Sequence, residues 1–416
     1  MKHSGIEWIG EIPKEWNISK LKQLGIYING YAFKPEDWTD SGKPIIRIQD
    51  LTGSFTNPNY YNGTIDNRYL ITKGDILVSW AATLDAFIWE KEDGWLNQHI
   101  FKAVPDSSMN TRYFFWLIKV AMDNMNNDNK HGIVMQHVTI GLFGNFIVGV
   151  PPLSEQQKIA NYLDKVCGEV DEMIALQEQM IEELKAYKQS VITEAVTKGL
   201  NPDFPMKDSG IDWIGKIPVN WNVKRLKYVS TISRGLFNHR PRNDERYYGG
   251  NYPFIQTGDV ARANKYIESY SQTLSDLGIA VSKLFPKGTL TMTIAANVGD
   301  VSILGFDAYF PDSVLGIVPY SDINNMYLYY VLKAMKTELE NAAIISTQLN
   351  LNVERVYNME TTIPPLSEQQ FIASYLDEKC AEIDALISIK QEKIEELKDY
   401  KKSVIYEYVT GKKEVV

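Results

Sequence analysis

The sequence predicts an α+β protein: two mixed α/β domains joined by two long helices that form an intramolecular antiparallel coiled coil, the whole built as a pseudo-twofold internal repeat. Three observations predict it. Residues 151–197 return at 364–410 with 29 of 47 positions identical. Residues 4–24 (SGIEWIGEIPKEWNISKLKQL) return at 209–229 (SGIDWIGKIPVNWNVKRLKYV) with 12 of 21 identical. The longer stretches between these cassettes are barely alike. Long-period repeats define the architecture before anything else does. Two like frames around two unlike inserts suggest a device that reads two different things at a fixed separation.

The elements follow in order. Trp8, Trp16, Trp213 and Trp221 fall inside the repeated opening cassette, so packing of frame on frame is their expected role. In the first insert, residues 43–50 (KPIIRIQD), 75–80 (DILVSW) and 146–150 (FIVGV) are short β-type runs bounded by Gly, Asp or Pro. Residues 111–125 and 326–339 have the apolar spacing of amphipathic helices. KGDILVSWAAT from Lys73 matches KGTLTMTIAAN from Lys287, and LNQHIFKAVP from Leu96 matches FPDSVLGIVP from Phe310. The inserts therefore share one fold and differ in exposed loops, where specificity resides.

Pro151-Pro152 ends the strand before the first long helix, and Ser154 with Gln157 has the spacing of a capping box. Ser367 and Gln370 repeat it. Apolar residues then alternate at four and three: Ile159, Leu163, Val166, Val170, Met173, polar Gln177, Met180, Leu184, Tyr187 and Val191. That is a coiled-coil seam. The second copy keeps Ile372, Leu376, Ile383, Leu386, Leu397, Tyr400 and Val404, and puts Lys379, Lys390 and Lys393 on the same seam. Gly199 with Pro202 stops the first helix and Gly411 the second. About 44 residues make a rod of roughly 65 Å. A seam that long needs a partner, and the simplest is the other copy, running antiparallel. The expected domains are residues 1–150, a central helix in 151–205, residues 206–363, and a C-terminal helix in 364–416.

Composition sets the class. The 416 residues are 44% hydrophobic and 23% charged, as in ordinary globular proteins. No apolar run suits a membrane span, and no apolar stretch follows MKHSGIEWIGEI, so no secretory signal is expected. The two cysteines, Cys167 and Cys380, are equivalent positions of the repeat. They build no disulfide framework, and a reducing cytoplasm is expected. The net charge is −9, most of it on the repeated helical segments. Residues 216–265 carry ten Lys or Arg against three acids, and such a local basic face can meet phosphate on an acidic chain.

Catalytic motifs are missing from the sequence. Asn57-Pro58-Asn59-Tyr60 and Asn201-Pro202-Asp203-Phe204 lack the second proline of an amino-methyltransferase loop. Gly42-Lys43 and Gly411-Lys412 do not continue into a P-loop. Spacings for a metal site or a Ser/His/Asp set do not stand out. Base-reading side chains are better supplied, because Arg and Lys suit guanine while Asn and Gln suit adenine in the major groove. The first insert offers Lys34, Arg47, Gln49, Asn97, Gln98, His99, Lys130, His131, Gln136 and His137. The second offers Arg234, His239, Arg240, Arg242, Gln256, Arg262, Lys265, Gln348 and Asn350. RGLFNHRPRND (residues 234–244) is the strongest group, being basic and loop-like.

The doubled PPLSEQQ helix entry, the doubled SGI(E/D)WIG(E/K)IP opening and YYGGNYPFIQTGDV at 247–260 resemble the specificity (S) subunit of type I restriction–modification enzymes over essentially the whole chain. The resemblance implies that residues 1–150 and 206–363 are target recognition domains, each reading half of a bipartite double-stranded DNA site. It implies that the paired helices set the spacing and dock two methyltransferase (M) subunits. This chain would be non-catalytic and hold no cofactor of its own. S-adenosylmethionine would come with the M subunits, and ATP and Mg2+ with restriction/translocase (R) subunits. The rival reading is a coiled-coil adaptor with two protein-binding domains. A fused methyltransferase is a weaker third.

Overall fold

The computed structural model describes residues 1–53, 58–80, 84–128, 139–242, 244–345 and 349–415. They form two compact units, Met1–Glu178 with Glu392–Val416, and Gln179–Gln391. Each long helix, Leu153–Lys198 and Leu366–Val409, thus belongs half to one unit and half to the other.

In unit 1, strands Gly25–Asn29, Ile100–Pro105, Ile76–Ser79 and Asp85–Ile88 form an antiparallel sheet in that order. A second sheet has the order Tyr60–Tyr61, Lys43–Ile46, Gly94–Leu96, Leu70–Ile71, and its central pair is parallel. Helix Thr111–Asp128 buries Tyr113, Phe114, Leu117, Ile118, Ala121 and Met122 on the first sheet. Unit 2 repeats the plan. Its larger sheet runs Ser230–Arg234, Val314–Pro319, Leu290–Thr293, Val301–Leu304, Tyr266–Ile267. Its smaller sheet runs Gln272–Leu274, Tyr248–Phe254, Ala308–Tyr309, Leu284–Phe285, again with a parallel central pair. The stretches matched in the sequence, after Lys73 and Lys287, supply equivalent inner strands. Two expected elements end early. The 43–50 run stops at Ile46, and Arg47 opens a one-turn helix, Ile48–Leu51. The 326–339 helix breaks at Met335 into Asn325–Ala334 and Lys336–Asn341.

The opening cassettes act as frame. Trp16 and Trp221 are fully buried, and Trp8 stacks on Phe146 at 5.2 Å while its carbonyl accepts from Tyr406 Oη at 2.7 Å. Each long helix ends against the cassette of the unit it enters. A Cβ on Gly411 would come 2.5 Å from Pro13 and 3.2 Å from Trp16, and one on Gly199 would come 3.2 Å from Trp221. Both glycines have positive φ (69° and 76°), the left-handed stop that glycine adopts without strain.

The helices pair antiparallel within each unit. In unit 1, Tyr162 packs on Tyr408 (4.4 Å), and further along Asp171 accepts from Lys401 at 2.6 and 2.7 Å. In unit 2, Lys188 donates to Asp384 at 2.7 Å, and Ile192 and Ala195 share a core with Ile372 and Leu376. Lys188 and Lys401 are equivalent positions of the repeat, as are Asp171 and Asp384, so one ion pair is made twice.

The seam differs from the expected one at alternate positions. Ile159, Leu163, Val170, Ile372, Leu376, Ile383 and Leu397 are buried and Leu184 is half-buried. Met173, Met180 and Leu386 are instead 48%, 37% and 47% exposed, and Val166 is half-buried. Burial passes to their C-terminal neighbours: Cys167 and Ile181 are buried, Ile174 and Ile387 half-buried. The true pattern steps three then four from Ala160, because either neighbour is apolar and only the partner helix chooses between them. Lys390 is half-buried, whereas Lys393 is exposed and Lys379 pairs with Glu382 one turn on. The expected capping box does not form at the first helix. That helix already includes Leu153, which puts Ser154 inside it, and Gln157 bonds Asn110 and Asn161.

Candidate nucleic-acid interface

Each of the two insert domains is held on the long helices by equivalent residues. Gln156 Oε1 accepts from Asn110 N–H at 2.8 Å, and Gln369 Oε1 accepts from Asn324 N–H at 2.8 Å. Tyr113 Oη reaches the Val409 carbonyl at 3.5 Å, and Tyr327 Oη the Val196 carbonyl at 3.4 Å. Burial pushes both phenols well above their ordinary range, so they serve as donors. Asp164 accepts from Arg112 Nε and Trp116 Nε1, each at 2.8 Å. Its equivalent Asp377 accepts from Lys265 at 2.6 Å and from Tyr330 Oη. Lys265, singled out in the sequence as a base reader, is therefore engaged in the frame.

Arg47, Asn97 and Gln256 lie where the parallel strands of the small sheets end. In unit 1, Ile45 and Ile46 lie opposite Trp95 and Leu96, so Arg47 and Asn97 leave the sheet side by side. Arg47 N–H donates to Asp50 Oδ2 at 2.8 Å, and its guanidinium lies 4.8 Å from the Trp38 ring. Gln49, Gln98, His99 and Lys34 are exposed. The ring of His99 is 5.7 Å from Trp80, and Lys34 is 3.5 Å from Glu36. The chain crosses Asn97 closely at Gly30, just past strand Gly25–Asn29, where a Cβ would come 2.0 Å from the Asn97 carbonyl oxygen.

In unit 2, Phe254 lies opposite Tyr309, and Gln256 occupies the place of Arg47. Its N–H donates to Asp259 Oδ2 at 2.8 Å and its Nε2 to Gln272 Oε1 at 2.9 Å. Arg262 reaches the same Asp259. Arg242 Nη2 donates to both oxygens of Asp312, at 2.7 and 2.9 Å. Arg240 is folded back onto the carbonyls of Phe237 (3.1 Å) and His239 (2.8 Å). His239 stacks on Tyr247 at 3.8 Å, and its Nε2 lies 3.3 Å from Asp244 Oδ2. Hydrogen bonds from Arg246 hold the Asp244 carboxyl well below the usual carboxylate range. Arg234 is exposed at the end of its strand. The crossing recurs at Gly235, 2.2 Å from the Pro311 carbonyl oxygen for a built Cβ.

Lys130, His131, Gln136, His137 and Gln348 lie outside the described residues, and Asn350 is described only as backbone in strand Leu349–Asn350. Trp38, Asp50, Asp259 and Asp312 went unnoticed in the sequence. The signal for Asp50 and Asp259 was the shared Pro-x-Ile-x-x-x-Asp spacing at Pro44–Asp50 and Pro253–Asp259; Trp38 and Asp312 carried none. Among the described residues no group of three His, Cys, Asp or Glu is placed to hold a metal ion. No described helix is long and apolar enough to cross a membrane. Burial raises the thiol of Cys167 to about 11 and that of Cys380 above its usual value.

One scaffold carried twice, with different polar side chains at equivalent strand ends, defines a double-headed recognition protein. Comparison places it further. The model of the type I restriction modification DNA specificity domain matches residues 13–186 and 218–399, and the chain belongs to that family. It is similar to the EcoBI specificity subunit of Escherichia coli, 26% identical over 390 residues, covering 90% of this chain and 81% of that protein. The putative MjaX specificity subunit of Methanocaldococcus jannaschii is 26% identical over 432 residues, covering 97% and 95%. The fold is shared with a chain in a structure of the assembly and conformational transition of the type I R-M system (TM-score 0.69, 18% identity, 96% and 98% covered). It is also shared with the HsdS subunit of Thermoanaerobacter tengcongensis (TM-score 0.50, 18% identity, 99% and 100% covered). The chain is thus a specificity subunit with two DNA specificity domains.

Proposed function

We propose that the domain in residues 1–150 reads one half of a bipartite duplex site and that in 206–363 the other, while the long helices fix the unread gap. The observation that carries this is the doubled attachment: Gln156/Gln369, Tyr113/Tyr327 and Asp164/Asp377 hold two heads whose exposed strand-end residues differ. Readers on one face of B-DNA need a separation of about one helical turn, ~34 Å, and stiff paired helices suit that better than a flexible linker.

The helices also support docking of two M subunits. Leu153 and Leu366, Met173 and Leu386, Leu176 and Ile389, and Tyr187 and Tyr400 are equivalent pairs, and all eight are exposed. A repeated apolar set offers the same face twice, once for each of two identical partners. The M subunits would bring S-adenosylmethionine and R subunits ATP and Mg2+, in the cytoplasm. Isolated chain is expected to methylate nothing. Duplex affinity of the complex with M subunits should fall steeply as salt rises, since phosphate contacts release counterions. Arg240→Ala with Arg242→Ala should relax the second half-site alone. Methyl transfer by the purified chain, or loss of selectivity in the first half-site only, overturns the reading.

A further inference from the structure

The two strand-end turns can be superposed residue by residue. Arg47-Ile48-Gln49-Asp50 and Gln256-Thr257-Gly258-Asp259 each leave a parallel strand, and each first residue is tied by its N–H to the aspartate three on (2.8 Å in both). Arg47 and Gln256 are therefore one position with two side chains. Ile48 and Thr257 follow, and then Gln49 in unit 1 stands against Gly258 in unit 2. Four residues later the order reverses, with Gly53 in unit 1 and Arg262 in unit 2.

That reversal has a spatial meaning. A Cβ on Gly258 would meet Arg262 Nη1 at 3.1 Å, so the Arg262 guanidinium covers the spot from which Gln49 projects in unit 1. Unit 1 ends its helix at Leu51, and Gly53 takes φ +75° with nothing among the described residues within 4 Å of a built Cβ. Unit 2 continues its helix to Arg262 and fills the place from one turn further on. Both places are thus occupied in both heads: by arginine then glutamine in unit 1, by glutamine then arginine in unit 2. Gln49 and Arg262 are exposed, and Arg47 and Gln256 half-exposed. Asp259 engages one guanidinium edge of Arg262 through Nη2, which leaves other donors of the fork free.

We infer that these four residues are the reading pairs of the two heads, with guanine- and adenine-preferring side chains in exchanged places. Arg47 and Arg262 each take a guanine, Gln49 and Gln256 each an adenine, as their bidentate donor and acceptor patterns require. The inference rests on the bipartite reading proposed above.

The test is methylation mapping of genomic DNA modified by the full chain with its M subunits. Arg47→Gln should weaken the demand for guanine at one pair of the first half-site by about 5- to 150-fold, with the second half-site unchanged. Gln256→Arg should change an adenine-bearing pair of the second half-site alone. Arg47→Lys separates the roles: it keeps a phosphate contact in full but loses the planar fork, so the guanine preference should weaken, though less than in Arg47→Gln. A relaxed pair in Arg47→Lys is expected. Three outcomes overturn the assignment: uniform loss at all sites with the site itself unaltered, no guanine in the sensitive first half-site, or loss of all modification in every variant. Failure of the wild-type complex to modify any two-part site would instead sink the bipartite reading.

Discussion

The attachment side and the side proposed to read DNA obey opposite rules in each recognition domain. On the attachment side unit 1 and unit 2 use equivalent anchors: Asn110 with Gln156 matches Asn324 with Gln369 at 2.8 Å, and Tyr113 matches Tyr327. Asp164 and Asp377 both accept, but from different donors. On the reading side the backbone is kept and the side chains change: Arg47 against Gln256, Gln49 against Gly258, Gln98 against Asp312. Specificity is thus layered onto a fixed scaffold.

The strongest way to break the comparison is to remove a frame tryptophan. Trp16→Ala and Trp221→Ala should each cost about 3–5 kcal/mol, measured by denaturant unfolding, and each should loosen its own unit first in hydrogen exchange. Next come the carboxylates under the heads. Asp377→Ala leaves Lys265 and Tyr330 without their acceptor and should cost about 1–3 kcal/mol, with Asp164→Ala similar in unit 1. Third, the twice-made ion pair is unequal in exposure: Asp384 is 33% exposed but Asp171 59%. Asp384→Asn should therefore cost about 1 kcal/mol and Asp171→Asn less, with equal losses counting against the burial argument. The smallest effect is chemical. The thiols of Cys167 and Cys380 stay protonated at neutral pH, so native protein should resist alkylation at pH 7. Because the Cys167 thiol is raised by burial to about 11, the folded state keeps its full share of stability below about pH 9. It loses that share as pH climbs toward 11, since only the unfolded chain releases the proton. Labelling followed by peptide mapping would reveal which unit opens first.

Much of the fold was legible because the sequence repeats itself. The helices, their stops and the common domain plan all follow from matching one half to the other. The seam was half legible. Periodicity alone could not choose Ile174 over Met173, or Ile387 over Leu386, since each pair is apolar. The repeat could have chosen, for Ile174 and Ile387 are identical between copies while Met173 and Leu386 differ. The reading side was least legible. Lys265 looks like any basic loop residue until Asp377, far along the chain, is brought to it. The exchange of Gln49 for Arg262 is invisible to alignment, because one place in space is served from sequence positions a helical turn apart.

The crossings at Gly30 and Gly235 reach beyond this chain. A single methyl there would collide with a carbonyl oxygen at 2.0 or 2.2 Å, so neither site tolerates any side chain, while the turn beside it accepts arginine, glutamine or glycine. On the reading proposed above, new target preferences can arise by point changes that leave these glycine crossings untouched. The absence of one carbon atom marks the border between what such a head must keep and what it is free to relearn.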